Sequence, residues 1–457
     1  MKIIQGKYVN RLLLTLLISV TLNAQMSIKE AWLNTELKNE GVKALESDVS
    51  RAELKKSSAE SMYLPAVTLT GSYTRLSEPV KIEGSLDIDA LTIAPGLTLP
   101  ATSLPYEFDL TKQDVFLADL QLLWPLYTGG KIDAAQDIYA AAVNEHKALK
   151  EMKKDTEFLK LVKYYYGVVL SESLYETRLE AQKALNIHYE NAKKLKEQGQ
   201  IAKIELLNAE VELDAARIET TKAHHKFQIA LSALSSLTKL SNKPSSKLFV
   251  YENVKEENYY KDETQANYAG LKVLDAKADQ SEAFVSIKEA SWYPEVAAFG
   301  NYNLYKDDSP IMSTLPTWFA GVMVKINLLQ RQDRSEEVQA AKLLNSKVKH
   351  LKAEALGNLA LLVEKTYKEM MSDREEFNSL SSSLALAQEN YKLRTIAFKE
   401  GLSTSVELVD AQMFLMGAKT KRLNAAYNFV KKLSRLSVLS GNREMFFEIE
   451  NSSEEIK

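Results

Sequence analysis

Lys203-Ile204-Glu205-Leu206-Leu207-Asn208-Ala209-Glu210-Val211-Glu212-Leu213 returns 202 residues downstream as Ser405-Val406-Glu407-Leu408-Val409-Asp410-Ala411-Gln412-Met413-Phe414-Leu415. Gly199 and Gly401 keep that offset. A second pair, Tyr63-Leu64-Pro65-Ala66-Val67 and Trp292-Tyr293-Pro294-Glu295-Val296, recurs at an offset of 229. The chain is a tandem duplication, and its physical unit is one half. The first half holds 229 − 202 = 27 extra residues between the two landmarks.

The repeated stretch carries a seven-residue apolar rhythm. Ile204, Val211 and Ile218 form one row and Leu206 and Leu213 another, mirrored by Val406 with Met413 and Leu408 with Leu415. This spacing is a coiled-coil seam, in contrast to the broader stripe of an ordinary bundle helix. What precedes each copy is as informative. No proline falls between Leu126 and Lys243 or after Pro316. Proline costs ~3 kcal/mol inside a helix, so these tracts are free to form very long helices. The spacing predicts them at about 129–198 and 331–400, each ~100 Å long at 1.5 Å per residue. Such helices need lateral partners, and return helices at about 202–240 and 404–440 supply them.

After Pro65 and Pro294 the period changes from 3.6 to 2. Val67, Leu69, Gly71 and Tyr73 alternate with Thr68, Thr70, Ser72 and Thr74, and Val296, Ala298, Gly300 and Tyr302 follow the same rule. Ahead of the long helices, Phe116, Ala118, Leu120, Leu122 and Trp124 form one face. At offset 202 it becomes Trp318, Ala320, Val322, Val324 and Ile326. Hairpins are expected at about 66–124 and 295–327. Four strands of ~10 residues with one apolar and one more polar face suit a membrane barrel, lipid outside and lumen inside. Val67, Leu69, Leu120, Leu122, Val322 and Val324 are the expected lipid-facing residues, with strand-end aromatics at the interfaces. Four strands leave open edges, so the barrel must close through other copies. Two copies give eight strands and a filled interior, three give twelve and room for a channel. Ser77 to Gln113, with the extra residues, and Lys306 to Pro316 read as surface loops.

Residues 1–24 resemble a secretory signal: Lys2, Lys7 and Arg11 precede an apolar run from Leu12 to Leu22, with cleavage expected before Gln25. Loss of those three cations takes the formal charge from −3 to −6. The absence of cysteine excludes disulfides, a thiol nucleophile and acylation at cysteine. Basic residues do not cluster, which argues against nucleic acid as a partner. Enzymatic chemistry is not expected either. The five histidines lie in predicted helices without a His-Glu-x-x-His motif, adjacent His224 and His225 are expected to be solvated, and Gly129-Gly130 lacks the lysine of a phosphate loop. No metal or cofactor site is expected.

The order is therefore a first repeat over 25–240, a linker over 241–265, a second repeat over 266–441 and a C-terminal tail over 442–457. Each repeat reads helix, proline, strand, loop, strand, long helix, glycine turn, return helix. This resembles the TolC family of outer-membrane efflux and secretion ducts. The residues that carry it are Leu64-Pro65, Tyr293-Pro294, Trp124-Pro125-Leu126-Tyr127-Thr128-Gly129-Gly130, Lys196-Glu197-Gln198-Gly199 with Glu205 to Ala209, and Phe398-Lys399-Glu400-Gly401 with Glu407 to Ala411. The second half departs from the closing motif at Asn327-Leu328-Leu329-Gln330-Arg331.

The resemblance implies a mainly α fold with β: a tandem-duplicated α-helical coiled-coil barrel, plus four strands per protomer in a trimeric twelve-stranded transmembrane β-barrel. It implies a homotrimer in outer membrane lipid, spanning into the periplasm of a Gram-negative cell, with an equatorial collar from the linker and tail. Its partners would be a periplasmic adaptor (a membrane fusion protein) and an inner-membrane transporter. Polypeptide secretion is an alternative cargo. A periplasmic coiled-coil adaptor is the alternative class, although one helical hairpin between β-domains would then be expected. Two sets of site residues follow. Glu407, Asp410 and the first-half Glu205 are candidates for a ring of carboxylates at the periplasmic constriction. For Glu407 a capping box with Thr404 is the competing explanation, one that Ala202 denies to Glu205. Gly199, Gln200 and Ile201, with Gly401, Leu402, Ser403 and Thr404, are the candidate adaptor-docking turns. The tyrosine and arginine that latch the tip in the family correspond to Phe398 and Ser403, so the latch here is expected to differ.

Overall fold

The computed structural model describes residues 25–328 and 333–453. The expected signal segment, part of the second closing motif and the last residues of the tail lie outside them. The first copy comprises α1 (Ile28–Lys38), α2 (Glu40–Glu60), β1 (Ala66–Arg75), β2 (Lys81–Ile88), β3 (Leu91–Ala94), β4 (Leu97–Leu99), β5 (Thr102–Asp109), β6 (Asp114–Tyr127), α3 (Lys131–Glu197) and α4 (Lys203–Thr238). The second comprises α5 (Glu257–Asn267), α6 (Ala269–Ala290), β7 (Glu295–Lys306), α7 (Pro310–Thr314), β8 (Trp318–Lys325), α8 (Arg334–Lys399) and α9 (Ser405–Leu439), and α10 (Arg443–Ser452) closes the chain.

The duplication extends to the helix breaks. α1 and α2 part at Asn39, and α5 and α6 part at Tyr268, both with extended backbone (ψ 111° and 124°) and again 229 residues apart. The second copy therefore opens at Glu257, inside the stretch 241–265 read as linker. Its sequence hides the helix because α5 is anchored by buried Tyr260 and Thr264 instead of a leucine stripe.

The described chain forms two compact units. One takes the chain up to Ser50, Asn144–Asp275 and the chain from His350 onward; the other takes Arg51–Val143 and Ala276–Lys349. In the first unit, Phe158, Leu161, Val162, Tyr165 and Tyr166 set a helical stripe along α3, all without solvent contact. Trp32 and the α10 residues Phe446 and Phe447 meet Phe158 edge-on at 5.3–5.6 Å. Each such ring contributes about 1.5–3 kcal/mol by burial. The Tyr165 hydroxyl donates to the Met26 carbonyl (2.7 Å) and accepts from the Ser245 and Ser246 amides (3.2 Å), which ties the chain start and the linker to α3. Arg443 fastens α10 to α3 through Glu151 (2.8 Å) and Asp155. The linker residues Leu248 and Phe249 and the tail helix thus share one core.

The second unit contains a four-stranded antiparallel sheet in the order β1-β6-β7-β8. Its register joins the four alternations. Val67 lies opposite Leu122, which lies opposite Gly300, and Leu69–Leu120–Tyr302 is the next row. Across the last pair, Val322 faces Ala298 and Val324 faces Val296. All six expected lipid-facing residues therefore occupy one sheet face. The opposite face carries Thr70, Asp119 and Asn303 in one row and Thr68, Gln121 and Asn301 in the next. Asp119 on this face is 4% exposed and accepts from the Asn301 side-chain Nδ2 (2.9 Å), so it is a bonded position instead of a wetted one. Gly129 turns β6 into α3 at φ 65°, where a Cβ would strike Tyr293 and the Ala290 carbonyl. Pro125 sits in β6 at an irregularity of the β6–β7 ladder, a place where a missing N–H is tolerated.

Ser77 to Gln113, expected as a surface loop, has regular structure of its own: β2 pairs with β5 over eight residue pairs, and β3 with β4 beyond them. The prolines and glycines that suggest a loop fall at ladder ends and turns, apart from Pro105 and Gly84, which sit within the ribbon. Lys306 to Pro316 likewise contains the short helix α7.

Candidate functional site

The candidate site is where the two helical hairpins of the first unit reverse. Both reversals use one device. Gly199 (φ 73°) and Gly401 (φ 72°) take the left-handed conformation that side chains resist. The amide after each donates five residues back, Gln200 to Leu195 and Leu402 to Ala397, both at 2.8 Å. These are Schellman closures, which satisfy the last carbonyls of α3 and α8.

The helix starts beyond them differ. At α9 the Thr404 side chain accepts from the Glu407 amide, and Glu407 Oε2 accepts from the Thr404 amide (3.1 Å) and the Ser403 hydroxyl (2.7 Å). Its other oxygen pairs with Arg394 on α8 at 3.2 Å. The Ser403 hydrogen bond, then the Thr404 amide and the Arg394 charge, hold the Glu407 carboxyl below its ordinary range. The capping box expected at Thr404 and Glu407 is therefore formed, with the Glu407 side chain still 45% exposed. At α4, Ala202 offers no cap. Glu205 instead reaches across to α9, where it accepts from the Ser405 amide at 2.8 Å, while the Ser405 hydroxyl donates to the Glu205 carbonyl at 3.0 Å. Glu205 thus caps the opposite hairpin, an orphan N–H of α9 being satisfied by a charged acceptor.

Ser405 is fully buried, and beside it lies a residue that sequence reasoning missed. His188 of α3 is 4% exposed, with Nε2 3.1 Å from Ser405 Oγ and its ring edge-on to Phe398 at 4.4 Å. Since Ser405 Oγ gives its proton to the Glu205 carbonyl, the imidazole Nε2 donates to Oγ. Burial, only partly countered by Glu205, lowers the His188 pKa to about 4. His188, Glu205, Phe398 and Ser405 come from four different helices and join the two hairpins in a polar clasp. The only sequence signal for it is the uncapped start at Ala202.

The remaining candidates separate by exposure. Asp410 is exposed, and its side chain, among the described residues, has no hydrogen bond or ion pair. Ile201 does not stand out as a docking residue: it packs with Ala192, Ala209, Phe398 and Leu408. Its counterpart Leu402 is 81% exposed. Gln200 is exposed, whereas Ser403 and Thr404 are committed to Glu407.

The seams divide too. Leu213, Leu408 and Leu415 are buried within the protomer, while Ile204, Val211 and Ile218 (58, 64 and 56% exposed) and Val406 and Met413 form unpartnered apolar rows. His224, expected to be solvated, is half-buried and lies 4.9 Å from the Tyr175 ring.

One copy thus carries a duplicated pair of helical hairpins and a four-stranded sheet with one apolar face and two free edges. The sequence matches the outer membrane efflux protein family over residues 34–238 and 262–442, one segment to each copy, and the chain belongs to that family. It is 22% identical over 248 residues to nodulation protein T of Rhizobium leguminosarum bv. trifolii, covering 54% of this chain and 51% of that protein, so the match spans about half of the relative's length. Similar solved structures include CusC, with a TM-score of 0.73 and 12% identity over 93% of this chain and 96% of that one. The outer membrane protein VceC of Vibrio cholerae gives 0.72 and 13% over 91% and 96%. The open-state MtrE channel of Neisseria gonorrhoeae gives 0.72 and 14% over 91% and 89%. The chain has the fold of these channels.

Proposed function

We propose that the chain is the outer-membrane duct of a tripartite efflux or export system, and that it works as a homotrimer. After cleavage before Gln25, three copies would close a twelve-stranded barrel and a helical tunnel below it. A periplasmic adaptor would dock at the helix reversals, chiefly at Leu402, and an inner-membrane transporter would deliver the cargo.

The single observation that supports this most is the unfinished state of one copy. Its sheet ends in two free edges, β1 and β8, which no bilayer tolerates unpaired. The exposed rows at Ile204 and Val406 repeat the demand for a neighbour in the helices. Twelve strands leave room for a channel where eight do not. Asp410 would line the constriction and favour cations, whereas Glu407 and Glu205 serve helix starts and the clasp. The test is planar-bilayer conductance of protein extracted from outer membranes. Stepwise, cation-preferring conductance from heat-modifiable oligomers is expected. A monomer without conductance would refute the reading.

A further inference from the structure

The residues between Val80 and Leu110 have no part in the duct argument, yet they are built to a strict plan. In the β2–β5 ribbon, Ile82 pairs with Phe108, Gly84 with Tyr106 and Leu86 with Leu104, so these side chains share one face with Ile88. A Cβ on Gly84 would collide with the Tyr106 ring, which therefore lies across that glycine, 5.6 Å from Phe108. The other face carries Lys81 opposite Asp109, Glu83 opposite Glu107, and Asp87. Two glutamates directly opposite each other repel unless water screens them, so this is the wet face.

The apolar face has no cover within the protomer. On it Ile82, Leu86, Ile88, Leu104, Tyr106 and Phe108 are 41–62% exposed. At about 150 Å² for a large side chain this face exposes on the order of 450 Å² of apolar surface. That is the size of the largest, often functional, patch of a whole monomer (~300–600 Å²), here concentrated on one short ribbon, and over half of the ~800 Å² each partner gives to a standard interface. A free two-stranded ribbon is also marginally stable in water.

Position selects the occupant. The ribbon continues from β1 and β6, and β1 is a sheet edge, so it rises beside the place where barrel closure puts the next copy. Its base is fixed by the Ile311 amide donating to the Leu110 carbonyl (3.0 Å) and by Lys112 with Asp308. Those charges and the Arg75–Asp114 pair (3.1 Å) where β1 ends mark the exit from hydrocarbon, which argues against lipid as the cover. We propose that the apolar faces of the β2–β5 ribbons pack against one another between copies of this chain, as a collar that extends the duct beyond the membrane. This rests on the oligomeric reading above. Copies held together at the barrel meet at high effective concentration, so a modest interface suffices.

The absence of cysteine makes the test clean. Leu86→Cys, Leu104→Cys and Glu83→Cys are each introduced into the full-length protein, and cells are treated with a short bis-maleimide or with a membrane-impermeant maleimide. Within the oligomer, Leu86→Cys and Leu104→Cys are expected to link copies about tenfold more than Glu83→Cys, because their face lies between copies whereas Glu83 is on the wet face. Adding Leu104→Arg to Leu86→Cys should abolish the link while oligomers persist. Free labelling at Leu86→Cys without linkage would overturn the proposal in favour of an open face or an external partner. Protection without linkage would overturn it in favour of lipid, and linkage that survives Leu104→Arg would also overturn it. Native mass of the same samples separates the two readings: one copy refutes the oligomer, and several copies without ribbon linkage refute the collar alone.

Discussion

Acid should loosen the clasp, and the amount follows from His188. Its folded value is lowered to about 4 from 6.5 by burial, so the neutral imidazole is the form the fold holds. When the clasp opens, His188 meets water and its ordinary value returns. Between these values the open state binds more protons than the closed one, so stability is full above about pH 6.5 and falls as the pH drops towards 4. The shift is worth about 3 kcal/mol in total, and about 2 kcal/mol of it is lost between pH 7 and pH 5, a roughly 20-fold rise in the open fraction. Glu205 is the one charge that opposes this, and it is already bonded to Ser405. The assay is hydrogen–deuterium exchange of peptides spanning residues 183–210 and 395–412, corrected for intrinsic rates. Wild type should open about 20-fold more often at pH 5 than at pH 7. In His188→Gln, whose amide still donates to Ser405, the profile should be flat. A flat wild-type profile, or an equal slope in the variant, would refute the clasp argument.

Three further outcomes follow from the same geometry. Leu120→Arg or Val322→Arg should cost about 2–4 kcal/mol and impair insertion, while Thr70→Arg on the opposite face leaves insertion intact, as read by outer-membrane yield. Leu402→Trp should abolish export with oligomers unchanged, whereas Ile201→Trp overpacks the cluster around Phe398 and costs about 1–3 kcal/mol of local stability by denaturant titration. Asp410→Asn should reduce cation preference in bilayers; Thr404→Ala should cost about 1 kcal/mol at the start of α9 with selectivity unchanged.

What was legible in the sequence was whatever repeats locally. The seven-residue rows at Leu206 and Leu408, the alternation from Val67 to Tyr73 and the Gly199 and Gly401 turns depend on near neighbours, and duplication displays each twice. Chain pattern does not reveal which row a protomer buries: Ile204 and Leu206 look alike, yet the Leu206 row packs inside and the Ile204 row does not. The β2–β5 ribbon was obscured because Pro79, Pro95, Pro100 and Pro105 mimic loop chemistry, although Ile82, Leu86 and Ile88 already alternate with polar residues. The clasp was out of reach, since His188, Glu205, Phe398 and Ser405 are assembled by helix packing across more than 200 residues. Ile201 and Leu402 occupy equivalent turns, and tertiary contacts alone distinguish them.

The claim that carries all of this is that β1 and β8 find their partners in two other copies. Native mass spectrometry of the detergent-extracted outer-membrane protein tests it most directly. The account predicts one species of three chains, each beginning at Gln25; a species of one or two chains would contradict it.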